Sequence, residues 1–139
     1  MIKNVFLFLL ISFTFISCKE LCSLEEVERV TSPDNKVDAV IIKKNYGATA
    51  SFIYDIYIVP KGKKVDLGKP EFRADHVEKL SLNWSQNKLL QIKYKNARIF
   101  HFSNFWQSKE VDNFSYVVEI QLKPLSKDFS LSEEDRWVK

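Results

Sequence analysis

Ser32-Pro33-Asp34-Asn35-Lys36, then Val37 to Lys44, then Tyr46-Gly47-Ala48-Thr49-Ala50, then Ser51 to Val59 and Pro60, is the stretch that decides the fold. It reads as turn, strand, loop, strand. Pro33 fixes φ near the value wanted at the second position of a tight turn. Asp34 and Asn35 supply local side-chain hydrogen bonds, and Asn35 tolerates the left-handed conformation better than any residue but glycine. Val37, Ala39, Val40, Ile41 and Ile42 form a β-branched run suited to a pleated surface. Phe52, Tyr54, Ile56 and Ile58 share one parity, and Ile53, Tyr57 and Val59 share the other. That strand is therefore expected to be buried on both faces. Pro60 cannot donate to a ladder, and Lys61-Gly62-Lys63-Lys64 continues as a polar loop.

Outward from this hairpin, Glu26 to Thr31 reads as a preceding strand, and later strands are expected to add to it. Val65 to Pro70 reads as loop and Phe72-Arg73-Ala74 as a short strand. Leu80, Leu82 and Trp84 alternate with polar residues, as do Leu90, Ile92 and Tyr94. The polar break between them makes a hairpin with one buried face. Arg98 to Phe105 reads as one further strand, and Phe114, Tyr116, Val118, Ile120 and Leu122 as the last. Ser130-x-x-Glu133 resembles a capping box for a short helical tail, with Trp137 placed to pin it. The expected fold is all-β: an antiparallel meander or small sandwich of about six to eight strands over residues 26–139.

Residues 1–17 read as a leader. Lys3 precedes an apolar run, Val5 to Ile16, that is short of the roughly 20 residues a membrane span needs. The run ends in Phe15-Ile16-Ser17-Cys18, a small residue directly before cysteine, which is the bacterial lipobox pattern. Cys18 would carry the diacylglycerol, cleavage would fall before it, and residues 18–25 would form a tether. The protein is then expected to be a palmitate-bearing lipoprotein of the cell envelope, held on the outer membrane if the cell is Gram-negative, since Lys19-Glu20 lacks the aspartate of inner-membrane retention. Two or three acyl chains anchor stably where one is marginal. The mature chain keeps 20 basic and 18 acidic groups. That near balance argues for no nucleic-acid role. Cys22 is left without a partner, and the glutamates around it do nothing to activate a thiol.

Ser32-Pro-Asp-Asn-Lys36, Ala39-Val40 and Gly47-Ala48-Thr49-Ala50-Ser51-Phe52 resemble a family of small, uncharacterised bacterial envelope lipoproteins. Ala74-Asp75-His76, Leu82-x-Trp84, Leu90-x-Ile92-x-Tyr94 and Ala97-Arg98-Ile99-Phe100 fit the same pattern, which spans Val30 to Phe102. Its signature runs Ser-Pro-Asp-Gly-Lys, then Cys-Gly-Ala-Thr-Thr. The resemblance implies no assigned activity. It also implies that relatives pair a cysteine at the position of Tyr46 with one near Cys22, a pairing this chain cannot make.

Candidate chemistry is sparse. Asp75-His76 with Glu78 is the single local acid–histidine cluster, and His101 is the other histidine. Two histidines with scattered carboxylates carry no zinc-ligand spacing. No nucleophile elbow or phosphate loop is present, and three glycines leave no room for a dinucleotide fingerprint. No metal and no cofactor is expected. Phe100, Phe102 and Trp106 share parity and form a candidate binding face, with Phe105 opposite, although core packing also explains such aromatics. The expectation is a non-catalytic envelope module, for example a small immunity or inhibitor lipoprotein, attached to the membrane through Cys18 and binding an envelope protein. The alternative is a small periplasmic enzyme using His76 and Asp75.

Overall fold

The computed structural model describes residues 22–125. The leader, Cys18, the Ser130–Glu133 motif and Trp137 lie outside them. Nine strands occur among the described residues: β1 (Ser23–Thr31), β2 (Val37–Asn45), β3 (Ile53–Pro60), β4 (Phe72–Glu78), β5 (Ser81–Gln86), β6 (Leu89–Tyr94), β7 (Asn96–Phe102), β8 (Phe105–Trp106) and β9 (Val118–Pro124). They form two sheets. Sheet A has the order β1-β2-β3-β4-β7, and sheet B the order β5-β6-β9-β8. The chain is thus all-β, as expected, but the strands after β4 divide between two layers instead of extending one hairpin.

The opening turn behaves as its residues dictate. Asn35 N–H donates to Ser32 O at 2.9 Å, and Asn35 adopts φ 59°. That is a tight turn closed by a left-handed residue, a hairpin geometry suited to twisted strands. Ser32 is buried, and its hydroxyl accepts from the Lys36 and Val37 amides while donating to Asp34. The hairpin then runs in register from Val37–Pro60 to Lys44–Ile53.

β3 is buried on both faces, as its composition predicts. Ile56 and Ile58 join Ala39, Ile41, Phe72 and Ala74 against Leu82, Leu90, Ile92, Val118 and Ile120 of sheet B. This inter-sheet layer is the main core, and each of its leucine, isoleucine, valine and phenylalanine side chains contributes roughly 1.5–3 kcal/mol on burial. Tyr57 and Val59 point the other way, packing with Val40 and Ile42 beneath Val65 of the loop 61–71. Trp84 Nε1–H donates to Val30 O at 2.9 Å and joins the sheets at the β1–β5 side.

Three expectations are corrected. First, β7 and β8 are separate strands in different sheets, since the chain crosses between layers at Ser103-Asn104. Second, the last strand starts at Val118. Asp112, Asn113 and Phe114 take φ of 50°, 47° and 66°, which no strand accommodates, and Tyr116 is buried ahead of the strand. Third, β9 runs parallel to β6, from Leu89–Glu119 to Tyr94–Pro124. A parallel neighbour needs a long crossover, and here β7, β8 and the 3-10 turn Asp112–Phe114 supply it.

The sandwich has two ends. At the foot, β1 begins opposite the end of β2, and the loop 46–52 and the β4–β5 and β6–β7 connections gather. At the crown lie the turn 32–36, the β5–β6 turn and the segment 107–117.

Candidate functional site

Asp75 and His76 sit at the foot, near the end of β4. The ladder to β7 is irregular between Asp75 and Glu78, and His76 holds φ 50°. A bulge with a left-handed non-glycine residue re-aims side chains. Here it folds the His76 ring back on its neighbour, with Nδ1 2.9 Å from Asp75 Oδ1. Nε2 lies 3.3 Å from Ser51 Oγ. Ser51, Phe52, Tyr54, His76 and Val77 line a recess of about 230 Å³.

The Ser51–His76–Asp75 order is the connectivity of nucleophile, base and orienting acid. In that role Nε2 would take the Ser51 proton while Asp75 held Nδ1–H. Two features weaken it. Arg98 clamps Asp75 with Nε and Nη2. The clamp is the main reason the carboxyl lies well below the usual carboxylate range, with a smaller contribution from His76. A carboxylate so neutralised gives little support to an imidazolium. The His76 side chain is also 62% exposed, so nothing keeps water away.

The candidate aromatics do not share a face. Arg73 pairs with His101 and Ala74 with Ile99, so Phe100 is the extra residue of a bulge. It projects outward, half exposed, with the Arg98 guanidinium 5.2 Å from its ring centroid. Phe102 and Ile99 both turn inward and pack on the core, as does Trp106 from β8. Strict alternation fails because the bulge shifts parity by one.

Sequence reasoning missed a cleft of about 340 Å³ on the crown side, between the loop 61–71 and β8. Trp106, Tyr57, Glu71, Lys64, Gln107 and Ser108 are among its walls. Glu71 accepts from the Ile58 amide at 3.1 Å, and among the described residues no cation pairs with it, although Lys63, Lys64 and Lys69 line the same cleft. Burial, only partly offset by two amide hydrogen bonds, pushes its carboxyl up to about 7. A Lys63–Glu110 ion pair spans the rim. A polar-walled cleft with one aromatic face and one poorly compensated acid is suited to holding a ligand that supplies hydrogen bonds. Glu71, between Pro70 and Phe72, carried no periodic signal.

A second missed feature is structural. Asp55 is fully buried and lies 2.7 Å from Lys44 Nζ, and it accepts a two-pronged clamp from Arg73. Tyr57 donates to the same carboxylate. Burial would raise the Asp55 carboxyl, but the Arg73 and Lys44 hydrogen bonds prevail and lower it. The signal was available: a lone acid inside an apolar strand needs charged partners.

Cys22 is a free, exposed thiol. Ser23 lies opposite Asn45, so the register places Cys22 beside position 46, where this chain has tyrosine. Among the described residues no group of three histidine, cysteine or acidic side chains could hold a metal ion. Comparison with known families, curated proteins and solved structures finds no match.

Proposed function

We propose that the protein is a lipid-anchored component of the bacterial envelope that binds a partner without transforming it. Its binding site, on this proposal, is the crown-side cleft around Trp106 and Glu71. The lipobox at Ser17-Cys18 supports the anchoring. The observation that carries the binding site is a part-buried carboxyl, contacted by no cation among the described residues, lining the same cleft as a tryptophan. Buried polar groups left undersatisfied raise the gain from a ligand that satisfies them, and tryptophan is a frequent binding hot spot. In-cell crosslinking of the tagged, anchored protein tests this, with Trp106→Ala and Glu71→Gln alongside and a secreted Cys18→Ala control. A discrete envelope protein captured by the parent chain and lost from Trp106→Ala supports the proposal. Capture unchanged in both cleft variants refutes the cleft, and capture of nothing refutes a protein partner.

One observation favours an enzyme instead: Ser51 lies on His76 Nε2 in the order of a hydrolytic triad. A fluorophosphonate that labels the parent chain at Ser51, but not His76→Ala, would establish it. The Arg98 clamp on Asp75 leads us to expect no labelling.

A further inference from the structure

We infer that the foot of the sandwich is a membrane-seating surface that rests on phospholipid headgroups and turns the crown cleft away from the bilayer. This deepens the anchoring proposed above and rests on it. The first argument is length. Cys18 lies five residue steps from Ser23, where β1 begins. A fully extended chain of that length spans at most about 18 Å. Because Ser23 lies opposite Asn45, the end of the sandwich held near a lipid on Cys18 is the one carrying the loop 46–52.

The second argument is what that end exposes. Tyr46 and Phe52 bracket the loop with 47% and 43% of their surfaces open, and Leu24, expected in the tether but found in β1, is 48% open. Lys43 holds its ammonium 4.1 Å from the Phe52 ring centroid. Aromatic rings backed by lysine stems suit the headgroup layer, where apolar faces enter and charged tips stay wet. The neighbouring charges include the pairs Asp55–Lys44, Asp75–Arg98 and Glu78–Lys95 and the facing residues Glu25 and Lys43, while Lys79, Lys93 and Lys123 add basic charge at the same end. The contact therefore draws on the rings together with a basic excess, and is expected to strengthen with anionic lipid and to weaken in salt.

The crown carries the Lys36–Asp112 and Lys63–Glu110 ion pairs and the cleft. It too exposes apolar side chains, Phe114 at 49% and Val117 at 42%, so the short reach of the tether, and not exposure alone, selects the foot. Seating the foot leaves the cleft accessible to a partner.

The test uses the full-length lipidated protein, with Cys22→Ser, in vesicles of phosphatidylethanolamine and phosphatidylglycerol. A nitroxide is attached at Ala48→Cys or at Lys109→Cys, and its accessibility to oxygen and to an aqueous nickel complex is read. The mass of the N-terminal peptide reports acylation of Cys18. The expected result is an oxygen-to-nickel ratio severalfold higher at 48 than at 109, falling toward the value at 109 when Tyr46→Ser and Phe52→Ser are added. Equal aqueous accessibility at both sites on an acylated chain overturns the seating surface alone. An unacylated Cys18 overturns the anchoring and this inference with it.

Discussion

The Tyr116 hydroxyl lies 2.8 Å from the carboxylate of Asp34, a residue 82 positions earlier in the chain. It also lies 2.8 Å from Asn87 O. One phenol therefore joins the first turn, the β5–β6 turn and the approach to β9. Lys36 and Lys88 flank its ring at 5.3 and 4.9 Å from the centroid. Burial first, and then the Asp34 contact, push the Tyr116 hydroxyl up to about 12.

Tyr116→Phe removes that contact while keeping the packed ring. A hydrogen bond to a charged group contributes about 1.5–3 kcal/mol, so urea unfolding is expected to show a loss in that range. Burial opposes ionisation of Asp34, but the Ser32 and Tyr116 hydrogen bonds lower its carboxyl overall. Its stabilising contribution is present above the ordinary carboxylate pKa and is lost as pH falls through the lowered one. The variant should therefore lose less stability on acidification than the parent. An unchanged acid limb would show that Ser32 and the backbone amides hold Asp34 without Tyr116.

Asp55→Asn tests the buried network on the outer face of sheet A. It strands Lys44, whose side chain is only 10% exposed, and frees Arg73. Breaking one partner of a buried pair costs about 3–5 kcal/mol. Replacing Lys44 and Asp55 together by Met and Leu is expected to recover most of that loss, because a well-packed apolar pair needs no compensation. If the double variant is as unstable as the single one, the network contributes more than charge pairing.

The hairpin from Ser32 to Pro60 was legible because turn chemistry and period-two alternation agreed there. The β5–β6 hairpin was legible for the same reason. What could not be read were the events that break the period. The bulge at Phe100 reversed the facing of Phe102, and three left-handed residues at Asp112–Phe114 delayed β9 to Val118. The parallel pairing of β9 with β6 joins segments with no local signal of contact. At the candidate site, Asp75 and His76 were visible as neighbours. Ser51, Arg98 and Glu71 came into play only through the fold, because each meets its partners across strands.

His76 carries a backbone prediction independent of chemistry. At φ 50° a glycine is unstrained, whereas a β-branched residue is strongly disfavoured. The ring is exposed and Arg98 continues to hold Asp75. His76→Gly is expected to melt at or near the parent temperature and His76→Val well below it. If both variants melted alike, the left-handed conformation at this position would be wrong.

Glu71 should give the domain an unusual pH response. Its folded pKa of about 7 lies above the ordinary 4.5 because burial disfavours the charged form. The fold therefore prefers the protonated acid. That preference is fully present below pH 4.5 and is lost as pH rises toward 7, above which the buried charge is a constant burden. One pKa unit corresponds to about 1.4 kcal/mol, so this group alone removes roughly 3 kcal/mol across that window. Asp34, Asp38 and Asp55 act in the opposite sense, since their lowered carboxyls lose stabilisation only as the solution becomes more acidic. Glu71→Gln keeps an acceptor for the Ile58 amide without the charge. Its stability at pH 8 should exceed that of the parent and should converge on it near pH 4.5, read from urea midpoints at fixed ionic strength. Parallel pH profiles for the two chains would mean that Glu71 finds a cation in solution. The cleft would then lack the poorly compensated acid on which its proposed binding role depends.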